Sequence, residues 1–248
     1  MLKKERHAFI KREIDIHNKV LSSDLSTQLN VSEDTVRRDL QELEEEGLLN
    51  KVHGGAISKS IQFSLQNNTV YSQSEKKIIA EKAKKLIRDG MIVLLSGGTT
   101  IIEMIRSLPP DLRVTFITVS IPTALELLNH PSSEVIFLGN KLLKNAQMSV
   151  GAEVVQKLNE IKADLCFLGT NSIDVEAGLT DLEWEVIEVK KAMIKNSKKT
   201  ISLSISKKLN TVQRLTICNI EAVDVLITEL DPFDPFLKPY INKKLIVL

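Results

Sequence analysis

Asp34, Thr35, Arg37, Arg38 and Gln41 crowd into one short stretch of the chain, and each offers a compact or planar hydrogen-bonding group. An arginine fork pairs bidentately with guanine, a glutamine amide with adenine, and an aspartate accepts from cytosine. At 3.6 residues per turn, Asp34, Arg38, Gln41 and Glu45 fall opposite Val36, Leu40 and Leu43, with Thr35 and Arg37 on the flanks. Ser32 precedes this helix, where a serine caps the terminus and can help hold a phosphate there. Downstream, Lys51 and His53 add further donors, and Gly54 and Gly55 permit close approach to a nucleic-acid backbone. Lys3, Lys4 and Arg6 offer basic groups from an earlier helix. A plainer reading fits the same residues. Arg38 stands four positions from both Asp34 and Glu42, and Arg37 four from Glu33, which suits a solvated ion-pair surface.

A second group is Ser96, Gly97, Gly98, Thr99 and Thr100, set between the apolar run 91–95 and the helical spacing of Ile101, Ile102 and Ile105. A glycine-rich turn from strand into helix presents backbone N–H groups and threonine hydroxyls, the donors a phosphate requires. A tight turn without a ligand has the same composition. Other apolar runs close on similar residues: Ser120, then Gly139 and Asn140, then Gly169, Thr170 and Asn171, then Ser206 and Lys207. Ligands of parallel sheets sit at the carboxyl ends of strands, so these residues are expected to share one pocket. Lys207 is either the counter-charge to a phosphate or a solvated loop lysine.

The elements that must position these groups follow from periodicity. Residues 3–16 form a helix with Phe9, Ile10 and Ile14 as its apolar stripe, and Val20 and Leu21 an extended piece. Ser22 or Ser23 caps a second helix carrying Leu25 and Leu29, Asn30 and Val31 make a tight turn, and Gly47 stops the third helix as a left-handed residue. Two short strands, 48–52 and 56–58, flank a turn at 53–55. Three helices and a hairpin make a winged helix-turn-helix over residues 1–57. Residues 58–74, rich in Ser, Gln and Asn, read as a linker. Beyond it, strands at 91–95, 114–119, 135–138, 165–168, 200–205, 223–227 and 245–248 alternate with helices at 122–129, 152–161 and 183–197. The fold class is therefore α/β: an N-terminal winged helix-turn-helix, then an α/β effector domain over 75–248 with a largely parallel sheet.

Composition sets limits. The 248 residues suffice for two cores, and 43% hydrophobic with 4% aromatic residues makes those cores aliphatic. A net charge of +1 does not advertise a nucleic-acid binder, so that case rests on local placement. Cys166 and Cys218 lie in apolar runs, fit neither a zinc site nor a disulfide framework, and are expected as buried thiols in a reducing cytoplasm. No apolar run approaches the roughly 20 residues of a membrane span, and no apolar leader core follows the charged start. His7, His17, His53 and His130 stand near no other candidate catalytic group, and neither a metal-ligand cluster nor a cofactor is expected.

The stretch from Val31 through Leu40 (VSEDTVRRDL), with Leu43-Glu44, Gly47-Leu48-Leu49 and His53-Gly54-Gly55-Ala56, resembles the signature of the DeoR family of bacterial transcriptional regulators. The resemblance places Arg37 and Arg38 on a recognition helix and the wing on DNA. It extends to Glu75-Lys76, Ile79-Ala80, Gly98 to Thr100, Ser149 with Gly151, Lys190 with Ala192-Met193, and Ser206-Lys207. In that family the second half resembles ribose-5-phosphate isomerase in fold and senses a phosphorylated sugar. The resemblance implies a cytoplasmic homo-oligomer that binds a double-stranded DNA operator as a repressor and carries no cofactor. Departures accompany it. Ser96, Asn171-Ser172 and Ser204 stand where the family carries acids, and Val119, Asn140, Gln66 (after Phe63) and Val186 replace other expected residues, with Glu183 and Glu185 nearby. A carboxylate accepts stronger hydrogen bonds from sugar hydroxyls than Ser or Asn does, so an altered effector is expected.

Two rivals remain at this level. An isomerase-like enzyme needs a general base facing the sugar carbon, for which Asp181, Glu183 and Glu185 are the nearest candidates. A regulator with an atypical or absent small-molecule ligand, controlled by another metabolite or by a protein partner, suits the missing acids.

Overall fold

The aliphatic residues spaced for helix faces do close into cores. A computed structural model describes residues 1–60, 70–243 and 245–248, and the chain divides into two units, Met1–Tyr71 and Ser72–Leu248. In the first unit, α1 (Lys3–His17), β1 (Lys19–Leu21), α2 (Ser22–Leu29), α3 (Glu33–Glu45), β2 (Leu49–Val52) and β3 (Gly55–Ser58) follow in order. Ile10, Ile14, Leu25, Val36, Leu40, Leu43 and Leu49 pack together, each almost wholly buried. Each such side chain stabilises the unit by roughly 1.5–3 kcal/mol.

The extended piece after α1 is a true strand. It pairs antiparallel with β3, so the wing is a three-stranded sheet in the order β1-β3-β2. This corrects the expected cap of α2. The chain enters the helix straight from β1, Leu21 holds the cap position, and Ser22 is the first helical residue, its N–H donating to the Gly54 carbonyl at 2.8 Å. The other boundaries follow their residue chemistry. Ser32 Oγ accepts the Thr35 N–H at 3.2 Å. Gly47 (φ +75°) ends α3, its N–H bonding the Glu44 carbonyl while Leu48 N–H bonds that of Leu43, the paired pattern of a left-handed helix stop.

The second unit is built on seven parallel strands: β4 (Ile92–Leu95), β5 (Thr115–Thr118), β6 (Glu134–Phe137), β9 (Ala163–Gly169), β12 (Ser197–Leu203), β14 (Val225–Ile227) and β15 (Ile246–Val247). All seven fall on the expected apolar runs. Helices α4 (Gln73–Ala83), α5 (Thr99–Arg106), α6 (Ile121–Leu127), α7 (Ala152–Asn159), α8 (Trp184–Lys195) and α9 (Lys238–Ile241) accompany them. A hairpin, β7 (Lys141–Leu143) with β8 (Met148–Val150), and a small antiparallel sheet, β10 (Ser172–Asp174), β11 (Gly178–Asp181) and β13 (Leu215–Cys218), were not anticipated. Cys218 lies on β13 and is half-buried rather than enclosed, while Cys166 is fully buried. Burial pushes both thiols up, Cys218 to about 11. In the expected linker, β3 ends on Ser58 and α4 starts at Gln73; Phe63 and Gln66 lie outside the described residues.

Strand order is β15-β14-β12-β9-β4-β5-β6. From β4 the chain steps through β5 to β6 at one edge, and from β9 through β12 and β14 to β15 at the other. The order reverses between β4 and β9, where parallel sheets open a crevice at their carboxyl ends. Among the described residues, no helix is long and apolar enough to cross a membrane.

Candidate nucleic-acid interface and ligand site

The outer face of α3 presents Asp34, Arg37, Arg38 and Gln41 to solvent, with Thr35 partly exposed beside them. The ion pairs of the plainer reading are present: Arg38 to Asp34 at 3.1 Å and Arg37 to Glu33 at 3.6 Å. They do not decide against recognition. The Arg38 and Asp34 side chains are 80% and 69% exposed, and such pairs contribute about 0–1 kcal/mol, so a stronger acceptor displaces them. Lys51 reaches across from β2 to the Gln41 amide oxygen at 3.0 Å, joining wing and helix into one polar surface. His53 and Gly54 are exposed at the wing tip.

Gly55 does something else. It is buried, and a Cβ there would stand 1.9 Å from the Val20 carbonyl oxygen. Its small size serves the approach of β1 to β3, not of a nucleic acid. Ser32, engaged in its cap and 2.9 Å from Thr35 Oγ1, remains exposed at the helix start.

The orientation of α3 is set by a residue that sequence reasoning passed over. Asp39 is 2% exposed and receives Arg6 through two bonds, at 2.7 and 3.0 Å, and His7 at 3.1 Å. Burial works against its charge, but Arg6, and behind it His7, outweigh this and hold the carboxyl below the usual range. Lys3 binds Glu42 at 2.7 Å, and Glu44 accepts the Lys51 backbone N–H at 2.7 Å. Thus Arg6 and Lys3, expected as DNA contacts, tie α1 to α3, and two of the acids near the helix end hold neighbours in place. His7, Asp39 and Glu42 have the spacing of metal ligands, but the cations of Arg6 and Lys3 already occupy the two carboxylates.

In the second unit, the turn at 96–98 and the end of β9 meet at the crevice. Ser96 is fully buried and its hydroxyl accepts the Gly169 N–H at 2.8 Å, while its carbonyl accepts Thr123 Oγ1 at 3.1 Å. Ser120, also buried, caps α6 through Thr123 N–H at 3.4 Å. These two serines, expected in the pocket lining, hold strand ends together. Gly169 is required by the same junction, since its Cβ would stand 2.3 Å from the Gly97 carbonyl oxygen. Gly98 (φ +132°) turns the chain into α5, where Thr99 and Thr100 form the first turn. Thr170 is buried against Ser202 at 2.6 Å, and Asn140 is exposed just before β7.

The cations differ most from expectation. Lys207 points outward to Glu75 (3.5 Å) and Ser72 (3.3 Å). Lys208 turns inward and donates to the Thr170 carbonyl at 2.6 Å. Lys190 binds Asp181 at 2.9 Å and the Gly169 carbonyl at 3.2 Å, and Asn171 donates to Asp181 at 3.1 Å. Burial pushes Asp181 up, yet Lys190, the Leu182 N–H and Asn171 together hold it below the carboxylate range. Burial, with repulsion from Lys76 and Lys190, pulls the Lys208 ammonium down to about 7. Lys76 and Lys190 are each 4% exposed.

Two family descriptions match this chain: a DeoR-like helix-turn-helix domain over residues 6–62 and a DeoR C terminal sensor domain over 71–230. The chain belongs to the DeoR family. It is a DNA-binding transcriptional regulator. Among full-length relatives, the HTH-type transcriptional regulator GolR of Listeria innocua is 32% identical, over 91% of this chain and 90% of its own. The uncharacterized HTH-type transcriptional regulator YulB of Bacillus subtilis is 34% identical over 94% and 92%. The HTH-type transcriptional repressor GlcR of the same species is 32% identical over 95% and 92%. Among solved structures, ribose 5-phosphate isomerase A of Methanocaldococcus jannaschii overlaps 56% of this chain and 55% of its own, at 20% identity and a TM-score of 0.43.

Proposed function

We propose that this DeoR-family regulator is a cytoplasmic, homo-oligomeric repressor. It reads its operator through Asp34, Thr35, Arg37, Arg38 and Gln41, with Ser32, Lys51, His53 and Gly54 on the DNA backbone. The observation that carries this is the exposed donor face of α3, locked in orientation by Arg6 and Asp39 and extended by the wing. Helix-turn-helix proteins engage paired half-sites that mirror their own symmetry, which supports oligomerisation. Repression agrees with the name of the GlcR relative.

The effector in this reading is a phosphorylated sugar or related metabolite held at the β4–β9 crevice. The backbone of residues 97–100 and the Thr99 and Thr100 hydroxyls face its phosphate, with Lys76, Lys190 and Lys208 as counter-charges. Ligand binding shifts the population between DNA-competent and incompetent states. The isomerase reading is disfavoured because the buried carboxylate, Asp181, is neutralised by Lys190, and Glu185 pairs with Lys141 at 2.9 Å.

Selection of a binding duplex from a random pool by the full chain tests the DNA half. Enrichment of a defined site is expected, with affinity falling steeply as salt rises. On the enriched duplex, Arg38→Ala weakens binding by about 1–3 kcal/mol and relaxes preference at one base pair. If no site is enriched, the reading fails; an unchanged affinity for the variant returns Arg38 to the helix ion-pair network.

A further inference from the structure

The two edges of the parallel sheet are unlike. β15 is two residues long, a short edge of the kind that resists further pairing. β6 is four residues long and keeps an unbroken register with β5, from Thr115 beside Glu134 to Thr118 beside Phe137. Among the described residues it has no other neighbour in the sheet. The Glu134 and Leu138 N–H groups donate to the Val114 and Thr118 carbonyls. Backbone groups alternate in direction along a strand, so Val135 and Phe137 aim theirs at the open side. The devices that blunt such an edge are missing. β6 has no proline, lysine or bulge, and its one charge, Glu134, accepts the Thr115 hydroxyl at 3.0 Å.

The surface beside this edge is apolar. Ile136 and Phe137 are exposed on the strand, and Leu125 and Leu128 on α6, which packs against β5 and β6. Ile121, Leu125 and Leu128 fall at i, i+4 and i+7, so α6 carries an outer apolar stripe besides the buried side that Leu127 fills. The four exposed side chains, 39–71% accessible, offer roughly 350 Å² of apolar surface per copy. A stable pair of like copies buries about 800 Å² on each, about 65% of it apolar, so the patch and the strand supply most of that need. The open backbone groups are their own complement. With the strand set antiparallel to itself and Ile136 on a two-fold axis, Val135 of each copy faces Phe137 of the other, and each such pair exchanges two N–H···O bonds. We propose that two copies of this chain join through β6, extending the seven parallel strands into one continuous sheet. Both copies of α6 then lie on the same face of the joined sheet, beside the seam. The proposal rests on the homo-oligomeric reading above and names the surface that serves it.

Sedimentation velocity on the full chain, with circular dichroism to verify folding, tests this in the wild type and two variants. The wild type has an even number of subunits, and Ile136→Lys, which sets like charges against each other on the axis, has about half that mass. Leu128→Glu, at a position already 71% exposed, raises the dissociation constant about tenfold or more. Ile136→Cys reads the register directly. Facing residues of this kind stand about 4.5 Å apart at Cα, within disulfide reach, so mild oxidation links two chains. Ile246→Cys, on the β15 edge, and the wild type stay unlinked. A wild-type mass of one chain defeats the homo-oligomeric reading and the proposal together. An assembly whose mass Ile136→Lys leaves unchanged, or in which Ile136→Cys links no better than Ile246→Cys, overturns the proposal and leaves that reading standing. If Ile136→Lys does not fold, Leu128→Glu and the cysteine variants decide the matter in the same way.

Discussion

At the scale of single residues, charge is used here as much to orient as to contact. Asp39 sits three residues after Val36 and four before Leu43, on the apolar side of α3. A buried acid in such a stripe demands a cation, and α1 supplies Arg6 and His7. Replacing Asp39 with Ala removes the buried carboxylate that holds both, leaving Arg6 with the Met1 carbonyl and His7 with Glu42 at 3.5 Å, so the melting temperature of the winged unit drops by several degrees and operator binding weakens. The pH dependence has a defined sign. Asp39 holds its proton less tightly folded than unfolded, so its contribution is full above the unfolded carboxylate range of about 4 and is lost as pH falls below it. Acid denaturation of wild type and Asp39→Ala should therefore converge at low pH; a constant gap would contradict the assignment. Arg37, Arg38 and Gln41 were legible because type and helical period agree. Asp39 was passed over although its place in the apolar stripe was a usable signal; its partner on another helix had none. Lys208 was beyond the sequence. In a 3-10 turn neighbouring side chains diverge by about a third of a revolution, and nothing local says which of two adjacent lysines points inward.

At the scale of elements, the wing shows how one glycine differs from the next. A Cβ on Gly54 (φ +76°) would stand in open space, whereas Gly55 abuts the Val20 carbonyl. Gly54→Ala costs about 1–2 kcal/mol, the penalty of the left-handed region, and leaves the sheet intact. Gly55→Ala must push β1 from β3 and should cost clearly more, with loss of operator binding. Chemical denaturation of the two variants checks the order, and equal losses would mean that the β1–β3 approach is not what confines position 55. Long, strongly apolar runs revealed every strand of the parallel sheet. The hairpin β7–β8 and the sheet β10-β11-β13 stayed hidden because their strands are three or four residues long and mix polar with apolar side chains, so no period emerges. The capping serine of α2 was misplaced for a related reason: a helix that starts directly from a strand satisfies its first N–H through the wing rather than through a side chain.

At the scale of the whole chain, a DeoR-like helix-turn-helix domain and a parallel sheet whose strand order reverses between β4 and β9 occur in one polypeptide. The alternation of strands and helices made the second fold class legible. Strand order did not follow from it, and only that order brings residues 96–98 against Gly169. Regulation requires an effector with different affinity for the DNA-competent and incompetent states, a coupling of about 1–3 kcal/mol, or roughly 5–150-fold in operator affinity. The most direct test is fluorescence anisotropy of a selected duplex titrated with the full chain, with and without each of a set of phosphorylated sugars as probes. At least one probe should shift the dissociation constant about fivefold or more, with no shift from its unphosphorylated parent. Operator binding that ignores every phosphorylated probe would contradict the account and leave this regulator's second unit without the role assigned to it.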